Sequence, residues 1–135
     1  MPISTVWYDP EHRILDQRFV GDWRWEEVEG ASTEAHGLAH SVPYDIVLIC
    51  DMSQTKSLPK GNVLSPAKSS MGQIPENIVQ IIFVIQSRLI EVFATLLFEV
   101  IPRWKHRAQI VKTREAAEKL ARAAAAKLNQ ETRTE

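Results

Sequence analysis

The residues best placed for chemistry lie around Asp51-Met52-Ser53, directly after an almost continuous apolar run over residues 44–50. A carboxylate beside a serine hydroxyl is part of a nucleophilic set. The rest of such a set is a base within hydrogen-bond reach, and no histidine lies nearby in sequence. His36 and His40 stand four apart in a helical pattern, with Glu29 on the same side at 100° per residue. A zinc site needs a third or fourth ligand with outer support, and the polar side of an amphipathic helix accounts for all three residues without one. Cys50 is the single cysteine, so no internal disulfide and no multi-cysteine zinc site can form. Its place at the end of an apolar run favours core packing over a reactive thiolate, which needs an electropositive, partly open setting. No metal and no cofactor is expected.

Trp23-Arg24-Trp25 is an aromatic–basic cluster of the kind that stacks on bases. With 16 Lys+Arg against 17 Asp+Glu the net charge is −1, so no overall field draws nucleic acid, and the tryptophans read as a hydrophobic anchor for a helix. Arg103-Trp104-Lys105-His106-Arg107 is the local basic run. It falls at a helix C-terminus, where the dipole favours cations; an acidic partner or a lipid headgroup is the functional alternative.

These residues need a scaffold, and the pattern predicts one. Residues 5–8 and 13–20 read as a strand pair joined by a turn at 9–12. Asp22 is the expected cap of a helix whose stripe is Val28, Ala31, Ala35, Leu38 and Val42, stopped by Pro43. Residues 44–50 read as a central strand ended by Asp51, and 52–61 as a polar loop. A short helix starts near Asn62 or at Ser65-Pro66 and carries Leu64, Ala67 and Met71. Residues 78–85 are a second buried strand, Ser87 caps a helix to about 104, and 109–112 form a last strand. Thr113 opens a final helix with Ala117, Leu120, Ala121, Ala124 and Leu128 inward; residues 129–135 read as a polar tail. The order ββαβαβαβα predicts a single α/β domain over residues 1–128, with a mostly parallel, mixed sheet of about five strands and right-handed crossovers.

The length suits one domain, and 44% apolar with 24% charged residues is ordinary globular composition. The apolar stretch 78–101 contains Gln80, Gln86, Arg88, Glu91 and Glu99, too many polar groups for a membrane span. The N-terminus has no charged leader followed by an apolar run, and with one cysteine this points to a cytoplasmic setting.

In an open parallel sheet, ligands bind beyond the carboxyl ends of the strands, where helix N-termini favour anions. That edge is expected to gather Asp22, Asp51, Ser53, Ser57, Ser87, Arg88 and Arg114 as a candidate site for a small anionic ligand, although capping alone accounts for most of them. The third helix offers a second candidate. Leu89, Ile90, Val92, Phe93, Leu96, Leu97, Val100 and Ile101 cover about 180° at 100° per residue, and Phe98 extends the surface, where one sheet face needs about 100°. A neighbouring helix, a second copy or a lipid must cover the surplus, with Leu89, Phe93, Leu96, Leu97 and Val100 as candidate contact residues.

The element order, Gly21-Asp22-Trp23 opening the first helix and Asp51-Met52-Ser53 closing the central strand together resemble the STAS domain family. That family contains the bacterial anti-sigma-factor antagonists and lipid- or ligand-binding relatives. The resemblance covers about residues 5–125 and implies a non-catalytic module that acts by binding a protein partner or itself. The antagonists carry a phosphorylated serine in an Asp-Ser-Ser-Gly segment at the start of the second helix. Here that stretch is Leu58-Pro59-Lys60-Gly61-Asn62, with Ser57 before and Ser65 after it, so the phosphorylation switch does not carry over. The first alternative is a small-ligand or lipid-binding protein, its ligand lying beside Phe93 and Leu97 between the third helix and the sheet. An enzyme using Asp51 with Ser53 or Ser87 ranks last.

Overall fold

A computed structural model describes residues 2–134. Its elements are β1 (Ile3–Trp7), β2 (Ile14–Val20), α1 (Trp25–His40), β3 (Ile46–Gln54), α2 (Leu64–Gly72), β4 (Ile78–Val84), α3 (Arg88–Val100), a 3-10 turn (Pro102–Trp104), β5 (Ala108–Val111) and α4 (Arg114–Thr134). The strands form one sheet in the order β1-β2-β3-β4-β5. β1 runs antiparallel to β2 and the remaining pairs are parallel, with Leu48 beside Ile81 at the centre. The α/β class, the single mixed sheet and its four helices are as the pattern predicts.

Sequential order fixes the layering. Three crossovers of one hand, all stepping the same way across the sheet, put their helices on one face. Ala31 and Ala39 of α1, Ala67 and Met71 of α2, and Ile90, Ala94, Leu97 and Phe98 of α3 accordingly share one core with Leu48, Cys50 and Met52. The other face is left to α4, whose Ala117, Ala121 and Ala125 pack on Ile14, Val47, Ile49, Ile82 and Val84. Alternate residues of each central strand therefore serve opposite cores, which is why those strands read as unbroken apolar runs.

Several boundaries differ from expectation. Asp51 does not end β3; the strand continues to Gln54 because Arg18 still pairs with Asp51 and Val20 with Gln54 across a bulge. Asp22 does not cap α1. The chain turns at Gly21, whose φ of +69° suits glycine, and the helix starts after Arg24, whose N–H donates to Glu27 Oε1 at 3.0 Å. α3 stops at Val100 rather than about 104, since Pro102 cannot continue it. Trp104 then turns inward and donates from Nε1 to Met71 O at 3.1 Å, tying α3 to α2. α4 continues through the expected tail to Thr134. Ser87 and Thr113 cap α3 and α4, accepting from Ile90 N and Ala116 N.

Candidate functional site

Two groups of side chains stand out, on opposite faces of the sheet. Under α4, strand alternation places Asp16 and Asp51 on the same face of neighbouring strands. Arg114, in the first turn of α4, reaches both. Its Nη1 and Nη2 donate to Asp16 Oδ1 and Oδ2 at 2.7 Å each, and Nη1 also donates to Asp51 Oδ2 at 3.3 Å. Asp51 Oδ1 accepts from Ser53 N at 3.0 Å and Ser53 Oγ at 2.6 Å. Arg114 Nε donates to Glu118 Oε2, Tyr8 OH donates to Glu118 Oε1, and Arg122 donates to Tyr8 OH. Both Asp51 oxygens are thus engaged, one by Arg114 and one by Ser53. The arrangement clamps α4 to β2 and β3, with both Asp51 oxygens in hydrogen bonds.

This clamp is pH-sensitive on the acid side. The hydrogen bond from Arg114, helped by that from Tyr8, holds the Glu118 carboxyl below its ordinary range, and the hydrogen bond from Lys112 does the same for Glu91. A carboxyl whose folded pKa lies below its unfolded value stabilises the fold above the unfolded pKa and loses that stabilisation as pH falls through the folded one. The urea midpoint is therefore expected to drop as pH falls below the ordinary glutamate value of 4.5, and Glu118→Gln to flatten part of that drop. A Glu118→Gln profile parallel to wild type would contradict the assignment.

On the other face, α1, α2 and α3 do not close fully on the sheet. A half-open apolar cavity of about 140 Å³ lies between them, floored by Leu48, Cys50 and Phe83 and walled by Phe93, Ala94 and Leu97. Gln17, Ser32, His36 and Ser70 are among the polar residues of its lining, and Trp23 and Trp25 add their indole rings. His36 Nε2 is 2.5 Å from Gln73 O and so is spoken for. Trp25 Nε1 is not: among the described residues it is the buried side-chain polar atom without a hydrogen-bond partner. Cys50 is buried in the floor, and burial, reinforced by the Asp51 and Asp16 charges, pushes its thiol far above the usual range. At about pH 8 the native protein should resist iodoacetamide and react only once urea unfolds it. Rapid alkylation of the folded protein would contradict this placement.

The seven residues expected to share the carboxyl edge separate into distinct places. Asp51, Ser53 and Arg114 meet in the clamp. Asp22 and Ser57 line an open cleft beside Trp25 on the other face. Ser87 is engaged as the α3 cap, and Arg88 is exposed, 3.9 Å from Glu91. The physical reason is the winding: strands in sequential order leave no point where crossovers diverge to opposite faces, the position at which such sheets open a crevice. Sequence reasoning missed Asp16, whose signal was a charge in the apolar register of Ile14, and Glu118, which forms a four-residue ladder with Arg114 and Arg122. It weighed Trp25 as part of a base-stacking cluster and preferred it as a helix anchor, not as part of a cavity wall. Among the described residues, no cluster suited to a metal ion occurs and no helix is long and apolar enough to cross a membrane.

The chain matches no family model, no curated protein and no solved structure.

Proposed function

We propose that this chain is a non-catalytic binding module of STAS-like type whose ligand is a small apolar molecule, or the end of an acyl chain, that carries a hydrogen-bond acceptor. The apolar cavity carries this reading, and Trp25, whose ring forms part of its wall, holds a buried N–H without a hydrogen-bond partner. The half-open cavity leaves apolar walls short of packing partners and within reach of water, and a ligand that covers them gains about 25 cal/mol per Å². A buried donor without an acceptor costs about 1–3 kcal/mol. Filling both deficits at once is the natural source of binding energy. An engineered apolar cavity of about 150 Å³ in another protein takes up benzene, so the volume suits a group of that size. Phe93, Ala94 and Leu97 would cover the apolar part, and a small shift of the Trp25 ring would bring its buried N–H to the acceptor.

The ββαβαβαβα order supports the STAS-like part of the proposal. Asp51 and Ser53 do lie within hydrogen-bond reach, but they sit in the clamp and, like Ser87, line neither the cavity nor the open cleft, so the binding reading is preferred to an enzymatic one.

The test is a heteronuclear NMR titration that follows the indole N–H signals of the four tryptophans, with Trp25 assigned through Trp25→Phe. Benzyl alcohol and decanoic acid are the probes, one for a compact ligand and one for an acyl chain. A saturable shift of the Trp25 signal with either is the expected result. A Trp25 signal unmoved by both would end the proposal.

A further inference from the structure

The outer side of α3 is apolar and uncovered. Leu89, Val92, Leu96 and Val100 are 77%, 45%, 63% and 58% exposed. At 100° per residue they fall within an arc of about 80° and run for about 16 Å along the helix. Of the residues expected to make contacts, Leu97 is buried in the core and Phe93 lines the cavity, so the free surface is this stripe with Val92 added. None of the four is needed to hold α3 on the sheet, which Ile90, Ala94, Leu97 and Phe98 do.

We propose that this stripe pairs with the same stripe of a second copy, the two α3 helices antiparallel about a two-fold axis. The charges at its border select this occupant. Arg88 and Glu99 lie at opposite ends of the helix but on the same edge of the stripe, about 20° apart around the axis. In a two-fold antiparallel pair the same edges meet, so Arg88 of one copy falls opposite Glu99 of the other, twice. The apolar residues match in the same register, Leu89 opposite Val100 and Val92 opposite Leu96. Arg88 and Glu99 have only long, exposed contacts within the chain, at 3.9 Å to Glu91 and 4.0 Å to Lys105, and such pairs cost little to exchange. The antiparallel helix dipoles add in the same sense. An anionic bilayer is less well matched, because Glu99 on the same edge cancels Arg88 and the border carries no net positive charge.

Sedimentation equilibrium up to about 300 µM, the concentration a small interface requires, tests this on wild type, Leu96→Glu, Arg88→Glu, Glu99→Arg and the double charge swap. The expected result is a wild-type dimer that Leu96→Glu abolishes. Each single charge reversal should weaken it about fivefold, and the double swap should restore it to within about twofold. Leu96→Glu should keep its urea midpoint, because the side chain is exposed. A wild-type monomer, a dimer indifferent to Leu96→Glu, or a double swap without rescue would each overturn the proposal. A monomer that floats with phosphatidylcholine vesicles would overturn it in favour of a membrane surface.

Discussion

Replacing Arg114 with methionine should destabilise the fold by about 3 kcal/mol, the largest effect expected of any single substitution in the α4 clamp. The side chain of Asp16 is 4% exposed and receives two of the guanidinium's donors; Asp51 takes a third contact. Methionine keeps much of the packing but leaves two neighbouring carboxylates beneath α4, offset by Arg18 at 3.1 Å from Asp16 and by the two Ser53 hydrogen bonds to Asp51. Breaking a buried pair from one side costs about 3–5 kcal/mol, and the 22% exposure of Arg114 sets the expectation at the lower end. Arg114→Lys should recover only part, because an ammonium cannot serve both oxygens of Asp16 in a fixed fork. Adding Asp16→Asn and Asp51→Asn to Arg114→Met should recover most of the loss, since the penalty lies in the stranded charges. Urea unfolding monitored by circular dichroism measures all three. A loss below about 1 kcal/mol for Arg114→Met would show the clamp to be ornamental.

Ala94→Leu should abolish binding of benzyl alcohol and decanoic acid while leaving the free protein as stable as wild type or more so. Ala94 sits at the middle of the buried face of α3, between Ile90 and Phe98, and lines the cavity. A leucine there occupies the space the ligand would take, and each methylene placed in a true void recovers about 0.8 kcal/mol if no neighbour is strained. Ligand affinity is expected to fall at least tenfold, with the thermal midpoint unchanged or raised. Trp25→Phe gives the complementary result: the void remains, the donor is lost, and affinity falls by up to about tenfold, the worth of one net hydrogen bond. Binding that survives Ala94→Leu would place the ligand elsewhere. A strongly destabilised Ala94→Leu would mean that the cavity closes in solution, and the Trp25→Phe titration would then decide the site.

The proposed self-association through α3 and the proposed ligand uptake under α3 would use opposite sides of one helix. Ile90, Ala94, Leu97 and Phe98 look inward, while Leu89, Val92, Leu96 and Val100 look outward, with Phe93 at the boundary. Excess apolar surface on this helix therefore has two causes, an incomplete inner contact and an outer face without cover.

The sequence by itself determined the element order, the α/β class and the helix caps at Ser87 and Thr113. Those features rest on local periodicity, turn residues and short-range hydrogen bonds, each contained within a few residues of chain. It also identified α3 as more apolar than one sheet face requires. Only the tertiary structure decided where the excess points and which chemistry-bearing residues meet. Asp16 and Asp51 lie far apart in the chain and become neighbours through strand register, and Arg114 reaches them only because the last helix returns across the opposite face. The apolar excess of α3 pointed to a space beside Phe93 and Leu97, but the cavity's size and its other walls depend on how three helices close on a sheet. Winding, register and packing gaps are long-range properties, and no local pattern of residues encodes them.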